Sequence, residues 1–215
     1  SYSLLKESGN QCPSEEYYFR DCLTWSDVTS GPFGVRFYPR GSVFSSVGNS
    51  IFETELGLPE ICCNLVSKPV VEWLKVINPT LHANPGDVAR LPLARPDSQK
   101  CREIFRSAVA VSRSNWDSYE ISWDFQNLAI VTNANRCVTL SDSFISWFQA
   151  AGDELTALTK LEEENNRIFI NAYGLQDELS PEVPESQITL TRADREKDSQ
   201  RLISYAIGCM MGRYS

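Results

Sequence analysis

The chain lacks most of the groups from which simple active sites are assembled. It has one histidine, His82, which excludes a two-histidine metal site and a His-x-x-x-His zinc helix. The sequence places no nucleophile beside it, so a Cys–His or Ser–His dyad has no support. Its seven cysteines, at 12, 22, 62, 63, 101, 137 and 209, contain no Cys-x-x-Cys pair. Their number is odd, and Cys62 and Cys63 adjoin within an apolar run. The pattern therefore reads as reduced, mostly buried thiols of a cytoplasmic protein rather than a disulfide framework. No two of the eleven glycines stand two apart, so no Gly-x-Gly turn is present to cradle a dinucleotide. No Asp or Glu precedes a lysine by two residues, which removes half of a common nuclease site. No apolar run approaches the ~18 residues needed to cross a membrane, and no signal peptide is present.

Excess positive charge is missing too. Twenty basic residues stand against 28 acidic ones, a net charge of −8, which gives no whole-chain support to nucleic-acid binding. The distribution is uneven. Residues 151–215 hold twelve acidic and seven basic side chains, a balance of −5, whereas residues 90–113 hold six basic and two acidic, +4. Between residues 33 and 50 the charged side chains are Arg36 and Arg40 alone. Apolar content of 42% and charged content of 22% are those of a globular protein. At 215 residues the chain can bury one full core or two small ones. It opens without methionine, in mid-pattern, as expected of a piece cut from something longer.

The organising stretch runs from Leu56 to Leu93. Pro69 suits a first helical turn and Ser67 an N-cap, while Asn78 precedes a proline and should stop the helix. This predicts two helices end to end, then a return through Thr80–Asn84 and a short strand ending in Leu91-Pro92-Leu93. Upstream, Phe33–Tyr38 alternates, with Arg36 and Tyr38 on one face, and Ser42–Val47 is expected to pair back on it across a turn at Pro39-Arg40-Gly41. Asp97 is a fair N-cap for a helix burying Cys101, Ile104, Phe105 and Ala108. The aromatics Trp116, Tyr119, Trp123 and Phe125 read as a plug between β and helical parts, with base stacking as the alternative. A long helix from Asp142 to a stop at Gly174 should carry the stripe Phe144, Phe148, Ala151, Leu155 and Leu158, with Glu162–Glu164 as a solvated charge run. A proline-bearing loop over 175–190 leads to a last helix burying Leu202, Tyr205, Ala206, Cys209 and Met210. The expected fold is α+β: an irregular β subdomain with packed helices over residues 1–95, then an all-helical spacer subdomain over 96–215.

Several stretches resemble the target-recognition region of adenine-specific DNA methyltransferases, above all the large single-chain, PglX-like type of BREX phage-defence systems. They are Asn64–Lys68, Val71–Leu81 and Gly86–Leu93, with Leu23–Ser26, Ser114–Phe125, Arg167–Leu179 and Ile203–Ser215 in the same order. Together they span nearly the whole chain. The Asn/Asp-Pro-Pro-Tyr loop that holds a flipped adenine in such enzymes is absent; Asn78-Pro-Thr80 is a partial echo. The resemblance therefore implies a target-recognition and spacer fragment whose catalytic methylase domain, with its S-adenosylmethionine, lies elsewhere on the parent chain. The fragment itself should be no enzyme and hold no cofactor.

Reading DNA requires polar side chains on a rigid element reaching base edges, with cations on phosphate nearby. Arg36, Arg40, Asn49 and Ser50 meet the first description; Arg90, Lys100 and the helical row Arg102, Arg106 and Arg113 meet the second. The plainer readings are a surface strand residue for Arg36, a turn residue for Asn49 and a solvated helix face for the row. Expected partners are double-stranded DNA, the parent's catalytic domain and other defence-system subunits, with no membrane. The alternative function is a protein-interaction scaffold, the acidic helical half docking another subunit.

Overall fold

Ser67, Pro69 and Asn78 cut one apolar stretch into two helices, as their backbone preferences dictate. The first, α1, spans Leu58–Leu65 and the second, α2, Lys68–Ile77. Ser67 takes the extended N-cap conformation, but its hydroxyl donates back to the Asn64 carbonyl at 2.6 Å, joining the two helices. Asn78 is extended and ends α2. These elements belong to a computed structural model that describes Glu7 and residues 14–29, 31–44, 48–53, 55–132 and 139–214. The fold is α+β. The chain forms two units, Ser1–Arg102 with Phe169–Leu179, and Glu103–Ile168 with Ser180–Ser215.

In the first unit, β1 (Cys22–Ser26) lies between β2 (Arg36–Tyr38) and β3 (Gly48–Ile51), antiparallel to both. Leu23, opposite Phe37 and Ile51, is 0% exposed, and Trp25 is buried beside it; α1 packs on this strand. The expected hairpin is corrected. Residues 42–44 form no strand, 45–47 lie outside the described residues, and β2 pairs with β1. The turn instead returns to the chain before β1: Phe19 N–H donates to the Ser42 carbonyl and Arg40 N–H to Asp21 Oδ1. The strand expected to end at Leu93 is corrected as well. Pro85–Val88 forms one helical turn, α3, because Asn84-Pro85 is a cap followed by a first-turn proline. The extended return before it does form, with His82 bridging Val28 and Trp25 Nε1–H donating to the Ala83 carbonyl at 2.7 Å.

Four further helices follow: α4 (Ser98–Asp117), α5 (Ala129–Thr132), α6 (Leu140–Tyr173) and α7 (Arg195–Met210). Asp97 Oδ1 caps α4 by accepting from the Gln99 N–H at 2.9 Å, and Gly174, at φ +70°, ends α6 in the left-handed region. In the second unit, Leu128, Ile130, Trp147 and Ala151 form one core cluster, with Phe144, Leu202 and Tyr205 against it. Leu158, Ile188 and Leu190 form another.

Burial on these helices departs from the expected stripes. Trp147 is buried and Phe148 exposed, because the Trp147 indole N–H finds the buried Asp198 carboxylate at 3.0 Å. Trp116 and Trp123 are exposed and plug nothing, whereas Tyr119 is buried and Phe125 packs edge-on against Tyr205 and Tyr214. On α7, Ala206, Cys209 and Met210 are exposed; the buried strip runs instead through Asp198 and Gly208, whose missing side chain admits the Tyr214 ring. Glu162 is not solvated: burial pushes its carboxyl up to about 7. The described cysteines 22, 62, 63, 101 and 209 are thiols outside any disulfide, with 22, 63 and 101 buried.

Two outcomes follow from this packing. Leu23→Ala should cost about 2–5 kcal/mol, read as a lower urea midpoint at unchanged slope. Glu162, whose folded-state value lies above the usual 4.5, holds a proton that the unfolded chain has released. Stability should therefore fall as pH rises from about 4.5 to about 7, and Glu162→Gln should abolish that fall, by on the order of 2 kcal/mol. Urea titrations across that range measure both.

Candidate nucleic-acid interface

Strand alternation gives the sheet a second face, turned away from Leu23 and Trp25. Two of the sequence-nominated residues meet there. Thr24 pairs with Arg36 on one side and Ser50 on the other, so Arg36, Thr24 and Ser50 form one row across three strands. Arg36 is exposed and has no ion pair among the described residues. Ser50 is half-buried, its hydroxyl donating to the Gly48 carbonyl. The next row carries Tyr38 opposite Cys22, and burial pushes the Cys22 thiol up, keeping it protonated.

This face floors an open cleft of about 210 Å³. Cys22, Thr24 and Ser50 lie at its base, with Tyr38 on the β2 side; Tyr17, Phe44 and Phe52 form the aromatic wall. The Tyr17 and Phe52 rings are 4.7 Å apart, and the Arg20 guanidinium lies 5.8 Å from the Tyr17 ring centre. Sequence reasoning nominated none of Tyr17, Arg20, Thr24 or Phe52; the alternation that put Arg36 and Tyr38 on one face was the available signal.

The remaining nominated residues do not join this face. Asn49 belongs to β3, not to a turn, and points the other way, donating from Nδ2 to the Ala83 carbonyl at 3.3 Å. Arg40 is exposed in the turn after β2. Arg90 lies 3.9 Å from Asp87, and Lys100 is exposed in the first turn of α4. Of the arginine row, Arg102 lies in the first unit and pairs with Glu60 at 2.9 Å, while Arg106 and Arg113 lie in the second. Arg113 is shared between Asp117 and Asp124, and Arg106 has no ion pair among the described residues. His82 is exposed, with Asp27 Oδ2 3.3 Å from its Nδ1.

Among the described residues no group of three or more histidine, cysteine or acidic side chains could hold a metal, and no helix is long and apolar enough to cross a membrane. No carboxylate is among the described residues that line the cleft, so the partner a ribose diol takes in nucleotide sites is missing and the cleft does not fit S-adenosylmethionine.

The chain is related to the BREX-type, PglX-like adenine-specific methyltransferases. It is 38% identical to the adenine-specific methyltransferase PglX of Lacticaseibacillus casei (strain Zhang) over 204 residues, 93% of this chain and 17% of that protein. With the adenine-specific methyltransferase BrxX of Escherichia coli O9:H4 (strain HS) it shares 24% identity over 98% of its own length and 19% of the relative's. The chain thus spans under a fifth of the length of these curated relatives. No family model matches it.

Arg102 and Arg106 should separate cleanly in a stability assay. Glu60 Oε2 is buried without a hydrogen-bond partner among the described residues, so Arg102→Ala strands a carboxylate and should cost about 1–3 kcal/mol. Arg106→Ala should change stability by less than about 0.5 kcal/mol. Urea denaturation of both variants checks this.

Proposed function

We propose that this chain is the DNA target-recognition and spacer part of a bacterial adenine-N6 DNA methyltransferase of a phage-defence or restriction–modification system. Methyl transfer, with S-adenosylmethionine, is carried out by a catalytic domain outside these residues. The observation that carries the reading is the Arg36–Thr24–Ser50 row: strand pairing sets an exposed guanidinium, without an ion pair among the described residues, beside two half-buried hydroxyls that donate to the Asn49 and Gly48 carbonyls. A guanidinium so held can donate bidentately to guanine O6 and N7, worth ~1–3 kcal/mol of discrimination. Arg40, Arg90, Lys100 and Arg106 serve as phosphate contacts, which position the protein without reading sequence. The kinship with adenine-specific methyltransferases supports this reading.

A second reading is a scaffold that docks other subunits. It is favoured by Ile203, Ile207, Met210 and Met211, which are exposed along the last helix, and by the −5 balance of residues 151–215.

The deciding experiment replaces residues 20–95 in a full-length methylase carrying this segment with those of a relative that modifies another site. The modified adenines are then mapped across a host genome. The methylated sequence should move to the donor's site, and Arg36→Ala alone should relax or abolish the original one. An unchanged site at a lower methylation level would assign these residues to the scaffold.

A further inference from the structure

We infer that the cleft on the outward face of the sheet is a pocket for a single nucleobase, with Arg20 placed for the attached phosphate. This deepens the DNA-reading proposal and rests on it for the source of the base. At about 210 Å³ the cleft falls below the ~300–1,000 Å³ of pockets for drug-sized ligands, and suits one flat ring system. Its span agrees: Tyr38 stands on one flanking strand, and Phe52 continues the other, two residues beyond Ser50. With one strand between them, their backbones are ~10 Å apart, enough for one planar ring between aromatic side chains.

The lining chemistry narrows the occupant. The walls are Tyr17, Tyr38, Phe44 and Phe52, and the floor offers the Thr24, Ser42 and Ser50 hydroxyls. Aromatic walls take any base through its π-face, while the Thr24 and Ser50 hydroxyls, which donate to the Asn49 and Gly48 carbonyls, present their lone pairs as acceptors along a base edge. Among the described lining residues the one that carries charge is Arg20, so the cleft selects a neutral ring bearing an anion over a cationic ligand. The same ligand can arrive as a free deoxynucleotide or as an unstacked base of a DNA strand; Arg36, in the row beside the cleft, favours a strand passing over this face.

The test titrates the chain with the four deoxynucleoside monophosphates, a short single strand and a duplex. Binding is followed by NMR at the Thr24 methyl and Tyr38 ring. Tyr38 is about half exposed, so Tyr38→Ala should leave the fold intact. It should weaken nucleotide binding about tenfold or more, as loss of one stacking partner does, while Tyr38→Phe stays within about twofold. Tyr38-dependent binding of both monophosphates and strand supports a base drawn from DNA; binding of monophosphates alone supports a free nucleotide. If no nucleotide or strand perturbs Thr24 and Tyr38, the pocket is overturned, and salt-sensitive duplex binding lost in Arg36→Ala would leave the recognition proposal standing. If nucleotides enter but duplex binding is absent and the segment swap leaves the methylated site unchanged, the pocket stands and the recognition proposal falls.

Discussion

The first unit depends on one hydroxyl. Tyr173, the last residue of α6, accepts hydrogen bonds from Asn64 Nδ2 and the Ala94 N–H, both at 2.9 Å, and donates to the Pro92 carbonyl at 2.8 Å. Asn64 is 1% exposed, and a buried carboxamide without partners would be costly. The bonds to Pro92 and Ala94 fix the chain that leads into α4, and the ring packs edge-on against Trp73 of α2 at 4.6 Å. A residue distant in sequence thus holds α1, α2 and the 92–94 segment together. Phe169, one helical turn earlier and fully buried, adds apolar contact on the same face.

The second unit relies on buried polar anchors as well. Asp198 accepts from the Trp147 indole, the Asp194 N–H and the Arg201 guanidinium, so a carboxylate that would otherwise be expensive to bury fixes α7 against α6. Asn115 exchanges two hydrogen bonds with the backbone of Thr191, tying the end of α4 to the chain before α7.

What the sequence made legible was local. The Ser67–Pro69 restart, the Asn78 stop, the Asp97 cap and the Gly174 end depend on the conformational preferences of one or two residues. The errors arose where distant partners decide. Trp147 and Phe148 are adjacent apolar positions on one helix, and only the remote Asp198 carboxylate selects the indole for burial. The Pro39–Gly41 turn could have made a hairpin, but Phe19 and Asp21 capture its backbone. Gly208 gave no periodic signal for the Tyr214 ring that covers it. At the site, alternation placed Arg36 and Tyr38 together, whereas Asn49 and Ser50, adjacent in sequence, had to face opposite ways, and only pairing with β1 showed which of them joins Arg36.

The division of labour within β1 has a consequence for how such a surface can diversify. Leu23 and Trp25 are committed to the interior, while Cys22 and Thr24, which alternate with them in sequence, belong to the other face. Change at the exposed Arg36 and Tyr38 is largely decoupled from the packing that keeps the strands registered, whereas the Thr24 hydroxyl also ties β1 to the Asn49 carbonyl of β3. Lineages can change Arg36 and Tyr38 at little cost to folding. A small sheet with one packed side and one open side is, in evolutionary terms, a rewritable surface on a fixed mount.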